Sequence, residues 1–248
     1  MQSPFSFGGT MGNVLTRDRY WEVNDSSTMW HGFKYGIPGL YNSYDTDFHC
    51  WVADSWTVTE IETTGTATET LLDAANGVLR LTTGSTENDG VQIQLGGTGD
   101  VETTGEGFAP VAGKNIYFET SFRTDDATQN DFFFGLHVED TTIVTGRGAD
   151  YIGFRKDDGD ALLDVECANT STATEALSVT TIAASTFYKI GFKVTGTASI
   201  AFWLNDQLVR MITTNIPTAL MKLSFGILTG DGSANQLDLD YARIYQEV

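Results

Sequence analysis

The stretch that decides the fold begins with Phe187-Tyr-Lys-Ile-Gly-Phe-Lys-Val194 and continues with Ser199-Ile-Ala-Phe-Trp-Leu204 and Leu208-Val-Arg-Met-Ile212. Apolar and polar residues tend to alternate within the three segments, and short turns separate them. A period of two places successive side chains on opposite faces of a strand. The segments therefore predict consecutive strands of an antiparallel sheet, each with one buried face.

The same pattern extends from Trp51 to the C-terminus. Val91-Gln-Ile-Gln-Leu95 alternates and ends at Gly96-Gly97, and Leu237-Asp-Leu-Asp-Tyr-Ala-Arg-Ile-Tyr245 alternates near the end of the chain. Glycine is frequent, with 26 residues, proline is scarce, with 4, and no segment has the period of a long amphipathic helix. Short strands with glycine, asparagine and aspartate turns predict an all-β sandwich or barrel.

Residues 1–50 differ from the rest, which leads us to predict an N-terminal arm before a sandwich domain at 51–248. The arm is rich in aromatic residues that follow neither a strand nor a helix period. A segment this aromatic is not a solvated linker, so it packs on its own sandwich, on a sister subunit or on a foreign partner. The predicted partner interface consists of Tyr20, Trp21, Trp30, Phe33, Tyr35, Tyr41 and Tyr44.

The formal net charge of −19 limits the classes of partner. Nucleic acids and anionic membranes are bound by clustered lysine and arginine, so we expect neither as a partner. The first residues, Met1-Gln2-Ser3-Pro4-Phe5, show no basic segment followed by an apolar one, which predicts no signal peptide. Cys50 and Cys167 suggest no disulfide framework, and we expect synthesis in a reducing cytoplasm.

The C-terminal third resembles laminin-G-like and other concanavalin-like domains. The resemblance rests on Phe187–Val194, on Ile200-Ala-Phe-Trp-Leu-Asn-Asp-Gln-Leu-Val209, and on Leu239-Asp-Tyr-Ala-Arg-Ile-Tyr-Gln246, which is similar to the closing strand of laminarinase-type glycoside hydrolases. It implies a two-sheet antiparallel jelly-roll sandwich of the concanavalin-like class over residues 51–248, with the irregular N-terminal arm attached.

A narrower resemblance connects the middle of the chain to jelly-roll proteins of tailed bacteriophages. It rests on Asn88-Asp-Gly-Val-Gln-Ile93, Asp131-Phe-Phe-Phe-Gly-Leu136 and Gly153-Phe-Arg-Lys-Asp-Asp-Gly-Asp160. It implies a virion structural protein, a capsid decoration or cement protein on the capsid exterior that binds the major capsid protein and forms a dimer or trimer. The alternative is a lectin-like, carbohydrate-binding module on the same fold.

Laminarinase-type enzymes carry a Glu-x-Asp-x-(x)-Glu strand that points its carboxylates into one cleft, and this chain lacks that triplet. The nearest candidate, Asp164-Val-Glu166, is interpreted as the solvent-facing half of an alternating strand. We therefore predict that the chain is not an enzyme and has no catalytic residues.

Metal-ligand and cofactor motifs are weak in the sequence. His31, His49 and His137 have no ligand spacing, and no phosphate-binding loop or dinucleotide fingerprint is present. Asp157-Asp158-Gly159-Asp160 offers oxygens to calcium but lacks the spaced ligands of a helix-loop-helix site, which favours a plain turn. We predict neither a metal nor a cofactor, although calcium stays an alternative because concanavalin-like domains sometimes bind it.

Overall fold

The structure, a computed structural model, describes residues 21–35, 39–72, 77–96, 107–146 and 150–248. Within these ranges the chain forms β-strands and one short 3-10 helix at Ala53–Ser55. The strands, β1 to β17 in chain order, are Trp21–Glu22, Lys34–Tyr35, Tyr41–Thr46, Trp56–Ile61, Thr68–Leu72, Val78–Thr82, Gly90–Leu95, Asn115–Thr124, Asn130–His137, Tyr151–Lys156, Leu162–Asn169, Thr172–Thr181, Tyr188–Thr195, Ser199–Leu204, Gln207–Ile212, Lys222–Thr229 and Gln236–Glu247.

Two large antiparallel sheets make up the sandwich. The seven-stranded sheet has the order β12-β11-β10-β9-β16-β7-β4. The eight-stranded sheet has the order β15-β14-β13-β8-β17-β6-β5, and β3 also pairs with β17. Every pairing among the described strands is antiparallel, and the large sheets contain strands distant in sequence, such as β8 beside β13 and β17. This arrangement confirms the predicted all-β jelly-roll sandwich.

The core lies between the two sheets, where the alternating apolar residues meet. Phe118 and Phe122 of β8 point inward from one sheet, and Phe132 and Phe134 of β9 point inward from the other. The rings of Phe122 and Phe134 have centroids 4.5 Å apart. Each such side chain contributes roughly 1.5–3 kcal/mol when it is buried, so these rings hold the sheets face to face.

A segment that we call the strap, residues 138–146, covers the outer face of the seven-stranded sheet. Its Ile143 and Val144 are buried against Phe133 and Leu228 in a second, smaller apolar cluster. Gly226 provides the space, because a Cβ atom there would lie 2.7 Å from Val144 Cγ2. The strap therefore keeps this sheet face away from solvent.

The predicted boundary at residue 50 falls after a strand of the sandwich. β3, at Tyr41–Thr46, pairs with the second half of β17, from Ala242 to Glu247. The end of the predicted arm thus contributes a strand to the eight-stranded sheet, while β1 and β2 form a separate two-stranded hairpin. Across the part of the chain that the structure describes, no helix is long and apolar enough to cross a membrane.

Candidate functional site

The outer face of the seven-stranded sheet is filled by polar contacts to the strap. Gln92 donates to the Asp140 carbonyl at 2.6 Å and accepts from the Ile143 amide at 2.9 Å. Gln94 likewise donates to the Val138 carbonyl at 3.1 Å and accepts from the Asp140 amide at 2.9 Å. These glutamines satisfy the main chain of the strap, which makes this face an interior surface.

A buried ion pair lies under the strap and corrects one prediction from the sequence. Glu166 was expected to face solvent, but it is buried and forms an ion pair with buried Arg155. Arg155 also donates to the carbonyls of Ile143 and Val144 in the strap. Glu166 faces away from the core, as the alternation predicted, yet the strap buries it. The alternation of residues in the strand could not indicate that another segment lies over this face.

His137 lies beside this pair, stacked on Tyr151 with ring centroids 5.7 Å apart. One ring nitrogen, Nδ1, lies 2.7 Å from the Val138 carbonyl, while Nε2 is buried with no partner among the described residues. Burial lowers the pKa of His137, against the opposing influence of the Val138 carbonyl and Asp140. Burial thus favours the neutral form of the ring, which is part of the packing beneath the strap.

The arm covers part of the other outer face, that of the eight-stranded sheet. The Trp30 indole stacks on Tyr117, with centroids 5.8 Å apart, and donates to Glu119 Oε2 at 3.2 Å. Met29 lies over Gly191, where a Cβ atom would be 2.7 Å from its sulfur. Gly191 therefore provides the flat surface that the arm needs in order to lie on the sheet.

Most of the predicted interface residues that the structure describes pack on their own domain. Phe33 is buried and stacks on Tyr41 with centroids 4.6 Å apart. Tyr44 meets Trp56 edge-on, at 5.5 Å between centroids. Tyr35 differs, because 52% of its surface is exposed. The arm thus adopts the intramolecular alternative that the sequence left open, and whether the same residues also contact a partner stays a prediction.

Two predicted interface residues are described little or not at all. Tyr20 lies outside the described residues. Trp21 pairs with Tyr35 between β1 and β2, and its side chain also lies outside the description.

Beyond the arm, the eight-stranded sheet presents an area that we call the open strip. The strand register shows two rows of side chains that face outward from adjacent strands. One row runs from Lys189 through Ser121 to Tyr241. The other row runs from Arg123 through Asp238 to Arg80. Strands β13, β8, β17 and β6 place the strip across roughly 14 Å of sheet. The strip consists of Arg80, Ser121, Arg123, Phe187, Lys189, Asp238 and Tyr241.

Charged and aromatic groups in the strip hold each other in place. Asp238, almost fully buried, accepts from Arg80 Nε at 2.7 Å, from Arg80 Nη2 at 2.9 Å and from Arg123 Nε at 2.8 Å. The guanidinium of Arg123 lies 4.8 Å from the ring centroid of Phe187, which is 42% exposed. Two guanidinium groups bound to one carboxylate are rigidly oriented, and Phe187 provides an accessible apolar ring beside them.

A second network connects the strip to the arm through two carboxylates. The Tyr241 hydroxyl donates a hydrogen bond to Glu119 Oε1 at 2.9 Å, so the Glu119 carboxylate accepts hydrogen bonds from both Tyr241 and Trp30. Arg243 lies between the carboxylates, with Nη1 3.9 Å from Glu119 and Nε 3.3 Å from Asp45. Burial, reinforced by the charge of Glu119, raises the pKa of Tyr241, which keeps its hydroxyl protonated as a donor. The strip therefore borders two carboxylates with fixed hydrogen-bond partners.

Sequence analysis did not identify these residues. Apart from Phe187, which directly precedes β13, each stands at an outward position of an alternating strand, and this is the one signal that the sequence carried. The strand register that brings Arg80 to Asp238, 158 residues apart, is not visible in that signal.

The Asp157–Asp160 segment forms the turn between β10 and β11. Among the residues that the structure describes, no three histidine, cysteine, aspartate or glutamate side chains are grouped as metal ligands.

Comparisons with known proteins place the fold but not the function. No family model and no curated protein matches the sequence. A Bacillus licheniformis β-glucanase matches with a TM-score of 0.58 and 14% identity, over 82% of this chain and 97% of that one. A Bacteroides ovatus mixed-linkage glucan family 16 glycoside hydrolase also matches with 0.58, at 11% identity, over 81% of this chain and 99% of that one. A Shewanella oneidensis MR-1 protein of unknown function matches with 0.55 and 14% identity, over 84% and 87%.

These similarities correct the prediction that the chain is not an enzyme. That prediction is wrong, because solved structures that share the fold over most of the chain are glucanases. The prediction rested on the missing carboxylate triplet, which did not indicate this similarity. The bacteriophage role receives no support from them. At 11–14% identity they establish architecture alone, and the chain has the concanavalin-like jelly-roll fold that these glucanases share.

Proposed function

We propose that this chain binds an extended polysaccharide, in the first instance a β-glucan, on the open strip. The observation that carries the proposal is the strip itself, where oriented guanidinium groups and an accessible ring lie together on a rigid sheet. Sugars present hydroxyl groups at their edges and C–H groups on their faces, which such a surface matches. The closed face under the strap offers no comparable area, since its polar groups are already bonded to the main chain.

Glu119 and Asp45 are the carboxylates that we propose would act on a glycosidic bond. Hydrolysis of glycosides uses two carboxyl groups, one as acid and the other as base or nucleophile. Both groups adjoin the strip through Tyr241 and Arg243, and no other carboxylates there share a cation in this way among the described residues. Trp30 covers Glu119 on the arm side, so a ligand would approach from the strip.

Affinity electrophoresis in gels containing different polysaccharides tests binding. We expect retardation by at least one β-glucan, and we expect Phe187→Ala to weaken the affinity roughly threefold to tenfold by removing the exposed ring. Leu220→Ala is the matched control, because Leu220 is a large apolar side chain that is even more exposed than Phe187 but packs beside Gly107, away from the strip. Unchanged mobility on every glycan, or equal losses in both variants, would contradict the proposal.

Turnover is measured separately, by release of reducing ends from each glucan that binds. If the two carboxylates act as proposed, Glu119→Gln and Asp45→Asn each abolish the release while leaving retardation in the gel intact. Turnover that persists in both variants would exclude them.

The virion structural role is a second candidate, favoured by exposed apolar side chains on two edge strands. Leu208 and Met211 on β15, and Leu177 on β12, are each more than half exposed. Exposed apolar groups on strand edges are typical of protein contacts. In this role the chain would sit on the capsid exterior, bind the major capsid protein and form a dimer or trimer. Light scattering after size exclusion, with co-sedimentation on capsids, tests it, and a monomer that stays in the supernatant would contradict it.

A further inference from the structure

Lys156 is a fully buried lysine at the end of β10, where the chain turns toward the acidic segment Asp157–Asp160. Its side chain has 0% exposure. The ammonium donates to three main-chain carbonyls: Asn130 at 2.7 Å, Asp157 at 3.0 Å and Thr128 at 3.5 Å. An ammonium has three N–H donors, so all of them are used.

Four carboxylates act on this ammonium electrostatically, while the oxygens in hydrogen-bond contact with it are main-chain carbonyls. The carboxylates of Asp126, Asp131, Asp158 and Asp160 all favour the charged lysine. Burial lowers the pKa of Lys156, and these carboxylates oppose that shift. Asp131 has a raised pKa, caused first by burial and then by the neighbouring acids.

The same turns are tied directly to one another. The Gly159 amide donates to the Thr128 carbonyl at 2.8 Å, and the Asp158 amide donates to Asp131 Oδ1 at 2.5 Å. The Gly230 amide donates to the Gln129 carbonyl at 2.7 Å, which brings a third turn into the group. The ammonium therefore lies beneath the meeting point of three turns that carry most of their charge as aspartate.

Carbonyl and carboxylate oxygens converging from several loops are the ligands that calcium takes in proteins. Here three carbonyl oxygens bind an ammonium that belongs to the chain, and the carboxylates lie farther out. The aspartates of Asp157–Asp160 suggested calcium in the sequence. Their position beside a buried lysine gives a different physical explanation for this acidic segment.

We propose that the Lys156 ammonium is the resident cation of this acidic end of the sandwich and takes the place of a metal ion in holding its turns together. The protein is therefore independent of calcium as it stands. Removing the ammonium while leaving space for an ion converts the same oxygens into a calcium site.

Thermal unfolding in EDTA and in millimolar calcium chloride tests the proposal with three proteins. The unaltered chain should melt at the same temperature in both. Lys156→Met should melt lower in both by roughly 6–15 °C, because it leaves the oxygens without a cation and fills the space. Lys156→Ala should melt lower in EDTA and recover at least half of the loss in calcium, but not in magnesium. Lys222→Met is the control, since Lys222 pairs with exposed Glu139 on the same sheet, and it should change little.

Three results would overturn the proposal. Calcium that raises the melting temperature of the unaltered chain would show a metal site beside the lysine. A Lys156→Met variant as stable as the control, or a Lys156→Ala variant indifferent to calcium, would show that the ammonium does not act as a cation for these oxygens. If the variants do not fold, the unaltered chain is tested by 15N NMR, where a lysine ammonium signal protected from exchange supports the proposal and its absence refutes it.

Discussion

Replacing Arg155 by methionine should destabilise the protein severely by leaving Glu166 charged and buried. Arg155 and Glu166 are only 1% and 2% exposed, so neither group can turn to water. Glu166 also accepts a hydrogen bond from the Tyr151 hydroxyl at 3.3 Å, but that donor is neutral and does not balance the charge. The strap would also lose two donors to its carbonyls.

The magnitude follows from the burial of the pair. Removing one member of a buried ion pair costs about 3–5 kcal/mol, because the other charge stays uncompensated. For a chain of this length each kcal/mol corresponds to roughly 2–4 °C in melting temperature, so Arg155→Met should melt about 6–20 °C lower. The double variant Arg155→Met with Glu166→Gln should recover part of the loss, because no charge is then left in the apolar surroundings.

Urea unfolding followed by circular dichroism measures all four members of this double-mutant cycle. The coupling between the two substitutions should reach at least about 1 kcal/mol. A loss below about 1 kcal/mol in Arg155→Met, or purely additive effects, would refute the account of the strap as a lid over a buried ion pair.

Three further predictions concern the strap and the arm, which lie over the two outer faces of the sandwich. Gly226→Val should cost about 1–3 kcal/mol of unfolding free energy in urea melts, because the new side chain collides with Val144 of the strap, and equal stability would show that the strap can move aside. Burial lowers the pKa of His137 in the folded protein below its ordinary 6.5, so the stability that the neutral ring contributes is present above pH 6.5 and is lost as the pH falls through the folded pKa. His137→Gln should therefore lose less unfolding free energy than the unaltered chain between pH 7.5 and 5.5. Identical pH profiles of the two proteins would contradict this prediction. Trp30→Phe should cost about 1 kcal/mol of unfolding free energy, because it removes the donor to Glu119 while keeping an aromatic ring on Tyr117. Chemical denaturation measures this loss, with Trp51→Phe as the control. Equal losses in the two variants would contradict the prediction.

The strands themselves could be predicted from alternation. The segment 91–95 corresponds to β7 at Gly90–Leu95, and the segment 199–204 is β14. In each, the inward positions hold apolar residues because burial of apolar surface drives the pairing. The fold class follows from a run of such segments without any knowledge of which strands are neighbours.

The covers and the open strip could not be predicted. Gln92 and Gln94 have the pattern of solvent-facing residues, yet they bind the strap, whose sequence shows no period at all. Asp238 similarly stands in an alternating strand, and its role depends on a register with β6 and β8 that only long-range pairing decides. Alternation separates the two faces of a strand, but it does not tell which outward face another segment will cover.

An NMR titration with a β-glucan oligosaccharide tests the central claim, that the open strip binds polysaccharide. Aromatic 1H–13C signals report directly on exposed Phe187 and partly buried Tyr241 in the strip, and on buried Trp56 as an internal reference. The account predicts saturable shifts for Phe187 and Tyr241 while Trp56 stays unchanged. Absence of shifts with every glucan oligosaccharide, or shifts confined to Tyr151 beneath the strap, would contradict it.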